Sequence, residues 1–288
     1  MDKQQIVEQA KAIQPWIVGL RRQLHQHPEL MYEEFETSKL VQSTLDELGI
    51  EYQKDIAVTG VLGTVGNGNG PCVALRADMD ALPIHEQADV EFRSQVDGKM
   101  HACGHDVHTA ILLGLAEVLF RFKNKLKQPV KLIFQPGEEV NPGGANLIID
   151  EGGLSNPLVS KMFALHVFPD LEFGKVGFRE GLYMASSDEL HLEIIGKGGH
   201  GALAGQTINP MFMGAEFILA AQNYINSNTP VDVPSVINFG LFEALGSTNV
   251  IPESAKIKGT FRTMNEHWRE KAKAGIKDVA KSLGHPRV

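Results

Sequence analysis

From residue 104 onward the hydrophobic period switches repeatedly. A helical stretch from about His105 to Lys123 is followed by a β-rich run over Val130–Gln135, a short helical stretch over Ala145–Glu151 and a second run over Met162–Val167. Strands that alternate with helices bury both sheet faces under helical layers, so this stretch predicts an α/β sandwich around a largely parallel sheet. The preceding residues supply further elements. Residues 4–26 carry apolar side chains at helical intervals, with Pro15 marking a second helix start or a kink. A helix over Tyr32–Leu48 is expected to end at Gly49. Val58–Val65 and Cys72–Ala77 read as strands joined in a hairpin by the turn Gly66–Gly70. That glycine cluster lacks the GxGxxG spacing and the following helix of a nucleotide loop.

After Gly181 the organisation changes to a strand over Glu189–Ile195, a helix over Asn209–Asn226, strands over Val236–Glu243 and Ala255–Met264, and a helix over Glu266–Leu283. This βαββα order is one strand short of a ferredoxin-like split βαβ sandwich. The reading therefore places a boundary near residue 184, between a larger α/β unit at 1–183 and a smaller α+β unit at 184–288.

Composition narrows the class of partner. Acidic residues outnumber basic ones by 35 to 27, a net charge of −8, so the chain has no cationic excess with which to neutralise phosphates and a nucleic-acid partner is not expected. Apolar runs such as Ala110–Phe120 fall short of the ~20 residues a bilayer span needs, so no membrane partner is expected either. The first residues lack the basic-then-apolar order of a secretory signal. Cys72 and Cys103 are too few for a disulfide framework. A reducing, cytoplasmic setting is the expectation.

Ligands of open α/β sheets bind beyond the carboxyl ends of the strands. Asp78 and Asp80 follow the run Cys72–Ala77, Glu138 and Glu139 follow Val130–Gln135, and His166 lies near the end of Met162–Val167. Met100-His-Ala-Cys-Gly-His-Asp-Val-His108 leads into a helix and gathers three of the eleven histidines and one of the two cysteines. Singly, each has an ordinary reading. A carboxylate after a strand is commonly a cap or a solvated turn, and His101 and His108 could be surface or hydrogen-bonded histidines. Together, thiolate, imidazole and carboxylate form the donor set of zinc and similar divalent ions. A nucleophilic Cys103 activated by His105 is a rival reading, but it leaves Glu138, Glu139 and His166 without a task. A metal hydrolase uses them all, one carboxylate binding the ion and its neighbour serving as general base. Closed structural sites are usually Cys-rich, which this chain cannot supply.

The segments Leu24-His-Gln-His-Pro-Glu-Leu30, Arg76-Ala-Asp-Met-Asp-Ala-Leu-Pro83, Met100-His-Ala-Cys-Gly-His-Asp106, Phe134-Gln-Pro-Gly-Glu-Glu139, Ala164-Leu-His166, Gly196-Lys-Gly-Gly-His200, Asn249-Val-Ile-Pro252 and Gly259-Thr-Phe-Arg262 occur in one order along nearly the whole chain. In these the sequence resembles the metal-dependent aminoacylase and carboxypeptidase superfamily, in the branch of hippurate hydrolase, N-acyl-L-amino-acid amidohydrolases and indole-acetyl-amino-acid hydrolases. The resemblance implies a metallopeptidase-like α/β/α catalytic domain and a smaller ferredoxin-like lid that also dimerises. It implies two divalent ions, manganese, zinc, nickel or cobalt, held by Cys103, His105, Glu139 and His166, with Glu138 as general base to the water. It makes Asp80 the carboxylate that orients a metal-binding histidine. It gives His200 the stabilisation of the oxyanion across a homodimer, and Asn249 and Arg262 the substrate carboxylate. The implied substrate is an N-acyl amino acid or a small dipeptide-like conjugate.

Two departures accompany the resemblance. Where the family has a Pro, a second His and an Asp before the lid-helix proline, this chain has Ala204, Gly205 and Asn209 before Pro210. Family members also continue beyond the second lid helix with a fourth lid strand and a return segment that supplies another histidine ligand. By that pattern the chain reads as C-terminally truncated. The alternative expectation is thus an inactive homologue that retains metal binding or dimerisation.

Overall fold

The computed structural model describes residues 2–67 and 70–283. The chain divides into two compact units, Met1–Lys175 and Val176–Val288. Residues 165–185 hold no helix and only the division between units, and the boundary expected near 184 lies in the same irregular stretch, before the next strand starts at Ser186.

The first unit opens with α1 (Lys3–Ala12) and α2 (Gln14–Gln26). Asp2 caps α1 by accepting from the Gln4 amide, and Pro15 occupies the first turn of α2, where its missing N–H costs nothing. α3 spans Phe35–Leu48 and ends on Gly49, whose left-handed φ of 72° closes the helix. It starts three residues later than the periodicity predicts, because Tyr32 has φ 62° and Glu34 is turned out of helical geometry. There follow β1 (Glu51–Ile56), β2 (Gly60–Val65), β3 (Cys72–Asp78), α4 (His105–Arg121), β4 (Val130–Gln135), α5 (Gly144–Asp150) and β5 (Val159–Ala164).

The strands form one sheet in the order β1-β2-β4-β3-β5. β4, β3 and β5 pair in parallel, while β2 is antiparallel to both β1 and β4. Four of the five strands therefore run the same way, in keeping with a mostly parallel α/β sheet. The expected hairpin between β2 and β3 is not formed. β4 is inserted between them, and the antiparallel neighbour of β2 in sequence is β1, which the apolar pattern did not mark. Gly68 and Asn69 of the supposed turn lie outside the described residues.

The central position of β4 follows from its burial on both faces. Val130, Leu132 and Phe134 pack with Leu20, Val41, Leu45 and Leu113 of α2, α3 and α4, whereas Ile133 packs on the opposite face with Leu62, Ala74 and Ile148 of α5. Lys131 is buried on that second face. Its ammonium donates to the carbonyls of Gly153 at 2.6 Å and Asn156 at 3.1 Å. Because β3, β4 and β5 are parallel, their carboxyl ends share one sheet edge.

In the second unit, β6 (Ser186–Ile195), α6 (Pro210–Asn228), β8 (Ser235–Glu243), β10 (Ser254–Thr263) and α7 (Glu266–Leu283) follow the expected βαββα order, and the short β7 (Gly199–His200) and β9 (Val250–Ile251) pair with one another. The three long strands form an antiparallel sheet, β6-β10-β8, packed against both helices through Phe217, Ile225, Ile257, Phe261, Trp268 and Ile276. Asn209 caps α6 by accepting from the Met211 amide at 2.9 Å, a task an Asp at that position shares. Among the described residues no helix is long and apolar enough to cross a membrane.

Candidate metal centre

Four segments of the first unit converge at the carboxyl edge of its sheet: the turn after β3 with Asp80, the loop after β4 with Glu138 and Glu139, the segment after β5 with His166, and the start of α4 with Cys103 and His105. Gly104 makes the last approach possible. It has φ 95°, and a Cβ there would lie 2.3 Å from the Val167 side chain.

His105 is the hub. It is wholly buried, and its Nδ1 donates to Asp80, 2.8 Å from the backbone oxygen and 3.1 Å from Oδ1. That assignment leaves the Nε2 lone pair free, and Nε2 is buried without a hydrogen-bond partner. It faces Glu139 Oε1 at 3.9 Å and Glu138 Oε2 at 4.0 Å. Cys103, His105 and His166 form one group whose donor atoms lie within 4.8 Å of each other, and His105, Glu138 and Glu139 form a second. His166 donates from Nδ1 to the Val167 carbonyl at 2.7 Å, which turns its Nε2 toward Cys103 Sγ, 3.3 Å away. Sulfur, imidazole and carboxylate donors around a buried, partnerless nitrogen fit a divalent cation.

The electrostatics agree with that fit. Burial works against charge on His105, yet Asp80, Cys103 and Asp78 together hold its pKa up at about 11, so without a cation the site draws a proton to Nε2, the position that a bound ion would take in its place. Glu138 is pushed above the ordinary carboxylate value, first by burial and then by the adjacent Glu139. The Cys103 thiol is also raised. The nearby His105 ring acts to lower it, but burial and Glu139 outweigh that effect, which disfavours the reading of Cys103 as a ready nucleophile.

Asp80 does more than orient His105. It is 1% exposed, and its second oxygen accepts the Glu139 amide at 2.9 Å, so one carboxylate fixes parts of both donor groups. His108 and Asp78 form a supporting pair that sequence reasoning left without a role. His108 Nδ1 donates to Asp78 Oδ1 at 2.6 Å, and its Nε2 accepts the Val167 amide at 3.0 Å, so both ring nitrogens are engaged. Although Asp78, His105 and His108 are close enough to be counted as a third donor group, His108 has no nitrogen to spare. His101 is buried too, with its pKa lowered to about 4 by desolvation. His25, in the first resemblance segment, bonds Asp106 at 2.8 Å and Glu86 at 3.1 Å and so braces the start of α4. The sequence signal for these partners was the histidine content of the motifs, but it did not say which residues they would meet.

The remaining expected residues belong to the second unit. His200 and Asn249 lie together there: His200 pairs across β7 and β9 with Val250, the Gly201 amide donates to the Asn249 carbonyl at 2.8 Å, and His200 is exposed. Arg262 is exposed on β10, flanked by Ser187 and Val236 on neighbouring strands.

Residues 74–286 match the model of peptidase family M20/M25/M40. Over 265 residues the chain is 46% identical to IAA-amino acid hydrolase ILR1-like 5 of Arabidopsis thaliana, an alignment covering 92% of this chain and 60% of the relative. It is 39% identical over 275 residues to N-acetylcysteine deacetylase of Bacillus subtilis, covering 95% and 72%. The crystal structure of the Bacillus subtilis YXEP protein, described as a dinuclear metal binding peptidase of the M20 family, superposes with a TM-score of 0.75 at 38% identity, covering 95% of this chain and 71% of that one. The chain thus spans 60% of the length of the plant relative. Matched by the family model over most of its length and sharing its fold with a family structure, the chain belongs to peptidase family M20/M25/M40.

Proposed function

We propose that this chain hydrolyses the amide bond of N-acyl amino acids or small peptide-like conjugates. The observation that carries the reading is His105: its Nδ1 is committed to Asp80, while its buried Nε2 has no partner and lies between a thiol–imidazole group and a pair of adjacent carboxylates. Cys103, His105, Glu139 and His166 would hold two divalent ions, drawn from manganese, zinc, nickel and cobalt because the mixed donor set suits each of them. When bound, the ions supply Lewis acidity toward water and the amide carbonyl.

The residues of this chain do the rest. Glu138, with its carboxyl raised by burial and by Glu139, is suited to take a proton from the attacking water and return it to the leaving amine. Asp80 holds the His105 ring and the Glu139 amide, so the donors keep their relative positions as that proton moves. His200 would donate to the oxyanion, and Asn249 and Arg262 would bind the substrate carboxylate. The similarity to an IAA-amino acid hydrolase and to an N-acetylcysteine deacetylase supports this substrate class. A homodimer formed through the second unit and a cytoplasmic setting complete the proposal, the latter supported by the free state of Cys72 and Cys103.

The test is hydrolysis of N-acetyl and indole-acetyl amino acids by the purified 288-residue chain, together with the Glu138→Ala variant. The variant should lose activity by about 100- to 10,000-fold while keeping its metal content. Loss of the metal in Glu138→Ala would show that the roles of Glu138 and Glu139 are misassigned. Metal-loaded wild-type protein that turns over neither substrate class would overturn the activity.

A further inference from the structure

The loop that carries Glu138 and Glu139 is gripped through its backbone at three points. The Gly137 amide donates to Glu34 Oε1 at 2.8 Å, the Gly144 amide donates to the Gly137 carbonyl at 2.9 Å, and the Glu139 amide donates to Asp80 Oδ2 at 2.9 Å. Two of the three acceptors are carboxylates, and the two amides they hold flank Glu138. Asp80 already has a task at His105. Glu34 comes from a segment remote in sequence, the turn before α3, and none of the readings above uses it.

Glu34 is built into this position. It is 0% exposed, and its second oxygen accepts the Thr59 hydroxyl at 2.6 Å. Its own carbonyl accepts the Ser38 amide in the first turn of α3, which anchors the backbone behind it. Gly137 has φ 55°, and a Cβ there would lie 2.6 Å from the Tyr32 ring, so Tyr32 and Glu34 seize the same residue from one turn. Burying a carboxylate is costly, and a neutral hydroxyl or amide would satisfy one amide and one hydroxyl more cheaply. What the direction of the Gly137 peptide requires is a side chain long enough to bring an acceptor to its amide while the other terminal atom meets the Thr59 hydroxyl.

We propose that Glu34 is a positioning residue for the Glu138–Glu139 pair, its buried carboxylate gripping the Gly137 amide and so fixing the backbone from which both carboxylates project. The inference rests on the reading of those two residues given under Proposed function. It makes reach, and not charge, the property that counts. Glu34→Gln keeps an oxygen acceptor at the same distance and removes the charge. Glu34→Asp keeps the charge and withdraws the acceptor by one methylene.

The experiment is a titration of the metal-free full chain with Co²⁺ alone, followed by the absorption of the cobalt–thiolate chromophore that Cys103 would contribute, on wild type, Glu34→Ala, Glu34→Asp and Glu34→Gln. Glu34→Ala and Glu34→Asp should bind Co²⁺ about 10-fold or more weakly than wild type, while Glu34→Gln recovers most of the affinity. With an N-acetyl amino acid as substrate, the same two variants should lose kcat more than they change KM. Should Glu34→Ala fail to fold, the Asp and Gln variants decide. Wild-type affinity in Glu34→Asp, or a loss in Glu34→Gln that Glu34→Asp does not share, would overturn the inference. Wild-type protein that binds Co²⁺ but hydrolyses nothing removes the proposed activity and leaves the Co²⁺ comparison to judge Glu34. Wild-type protein that takes up no Co²⁺ overturns both.

Discussion

Replacing His108 separates two bonds that one ring makes. The residue is 2% exposed and spans from Asp78, at the end of β3, to the Val167 amide, next to His166. Asp78 is 1% exposed, and its carboxyl is held well below the ordinary range: burial pushes it up, but the His108 hydrogen bond and the Arg76 guanidinium, 2.6 Å away, more than reverse that. A hydrogen bond to a charged group contributes about 1.5–3 kcal/mol, and deleting a buried ring adds the loss of its packing, so His108→Ala should cost about 3–4 kcal/mol in the first unit. Asn places a carboxamide nitrogen near the Nδ1 position and keeps the donor to Asp78, so His108→Asn should cost only about 1–2 kcal/mol. Gln reaches toward the Nε2 position and keeps an acceptor for Val167, but leaves Asp78 short of a donor, so His108→Gln should cost about 2–3 kcal/mol. The chain has two tryptophans, Trp16 in the first unit and Trp268 in the second. In a Trp268→Phe background, urea unfolding followed by Trp16 fluorescence therefore reports the first unit. The functional readout runs the other way: His108→Asn frees the backbone beside His166 and should reduce metal uptake more than His108→Gln does. A cost below about 1 kcal/mol for His108→Ala, or Gln proving more stable than Asn, would refute the hydrogen-bond assignment on which the reasoning rests.

Other expectations follow from single contacts. Gly104→Ala must place a Cβ at φ 95° and 2.3 Å from Val167, so it should destabilise the first unit by about 2–3 kcal/mol and lower metal uptake, measured by thermal unfolding and metal analysis. In the second unit, Arg269 forms a two-pronged pair with Asp188, at 2.7 and 2.8 Å, and its hydrogen bonds hold the Asp188 carboxyl below its ordinary value. A depressed folded-state pKa means that the stabilisation is complete above the unfolded value of about 4 and is lost as the pH falls through the folded one. Asp188→Asn should accordingly lower the stability of that unit by about 1 kcal/mol at neutral pH, and by progressively less on acidification below about pH 4. Unfolding monitored by Trp268 fluorescence across pH in a Trp16→Phe background checks this, and a deficit that persists unchanged in acid would assign the effect to something other than the ion pair.

Elements with strong local signals were readable from the chain. β4 is bounded as its apolar run predicts, α3 stops at Gly49, and α6 starts between the cap Asn209 and Pro210. Each signal comes from neighbours in sequence: a period, a cap, or a residue with unusual backbone freedom. β1 escaped notice because Glu51-Tyr-Gln-Lys-Asp-Ile56 lies at the sheet edge, mostly exposed, and has little apolar pattern to betray it. The hairpin between β2 and β3 was misread for the opposite reason. A glycine-rich turn permits a hairpin but does not require one, and β4, apolar on both sides, displaced β3 from β2 to reach the middle of the sheet.

The site divides along the same line. The chemical identities of Cys103, His105, Glu138, Glu139 and His166, and their places after strands, are visible in the sequence, because parallel strands send such residues to a common edge. The supports were not visible. Glu34 looked like the first turn of a helix until Tyr32 took a left-handed turn and brought its carboxylate to Gly137, 103 positions away. His108 was open to a surface or a hydrogen-bonded reading, and its partners, Asp78 and the Val167 amide, were not legible until the fold brought them to it. By itself, then, the sequence determined the layer architecture, the limits of most elements and the supply of metal-binding side chains, since these depend on local period and residue type. Tertiary structure decided the strand order, which histidine nitrogen is left free, and which buried carboxylates hold the loops. Those properties arise from burial and hydrogen bonding between residues far apart in the chain, and no local pattern encodes them.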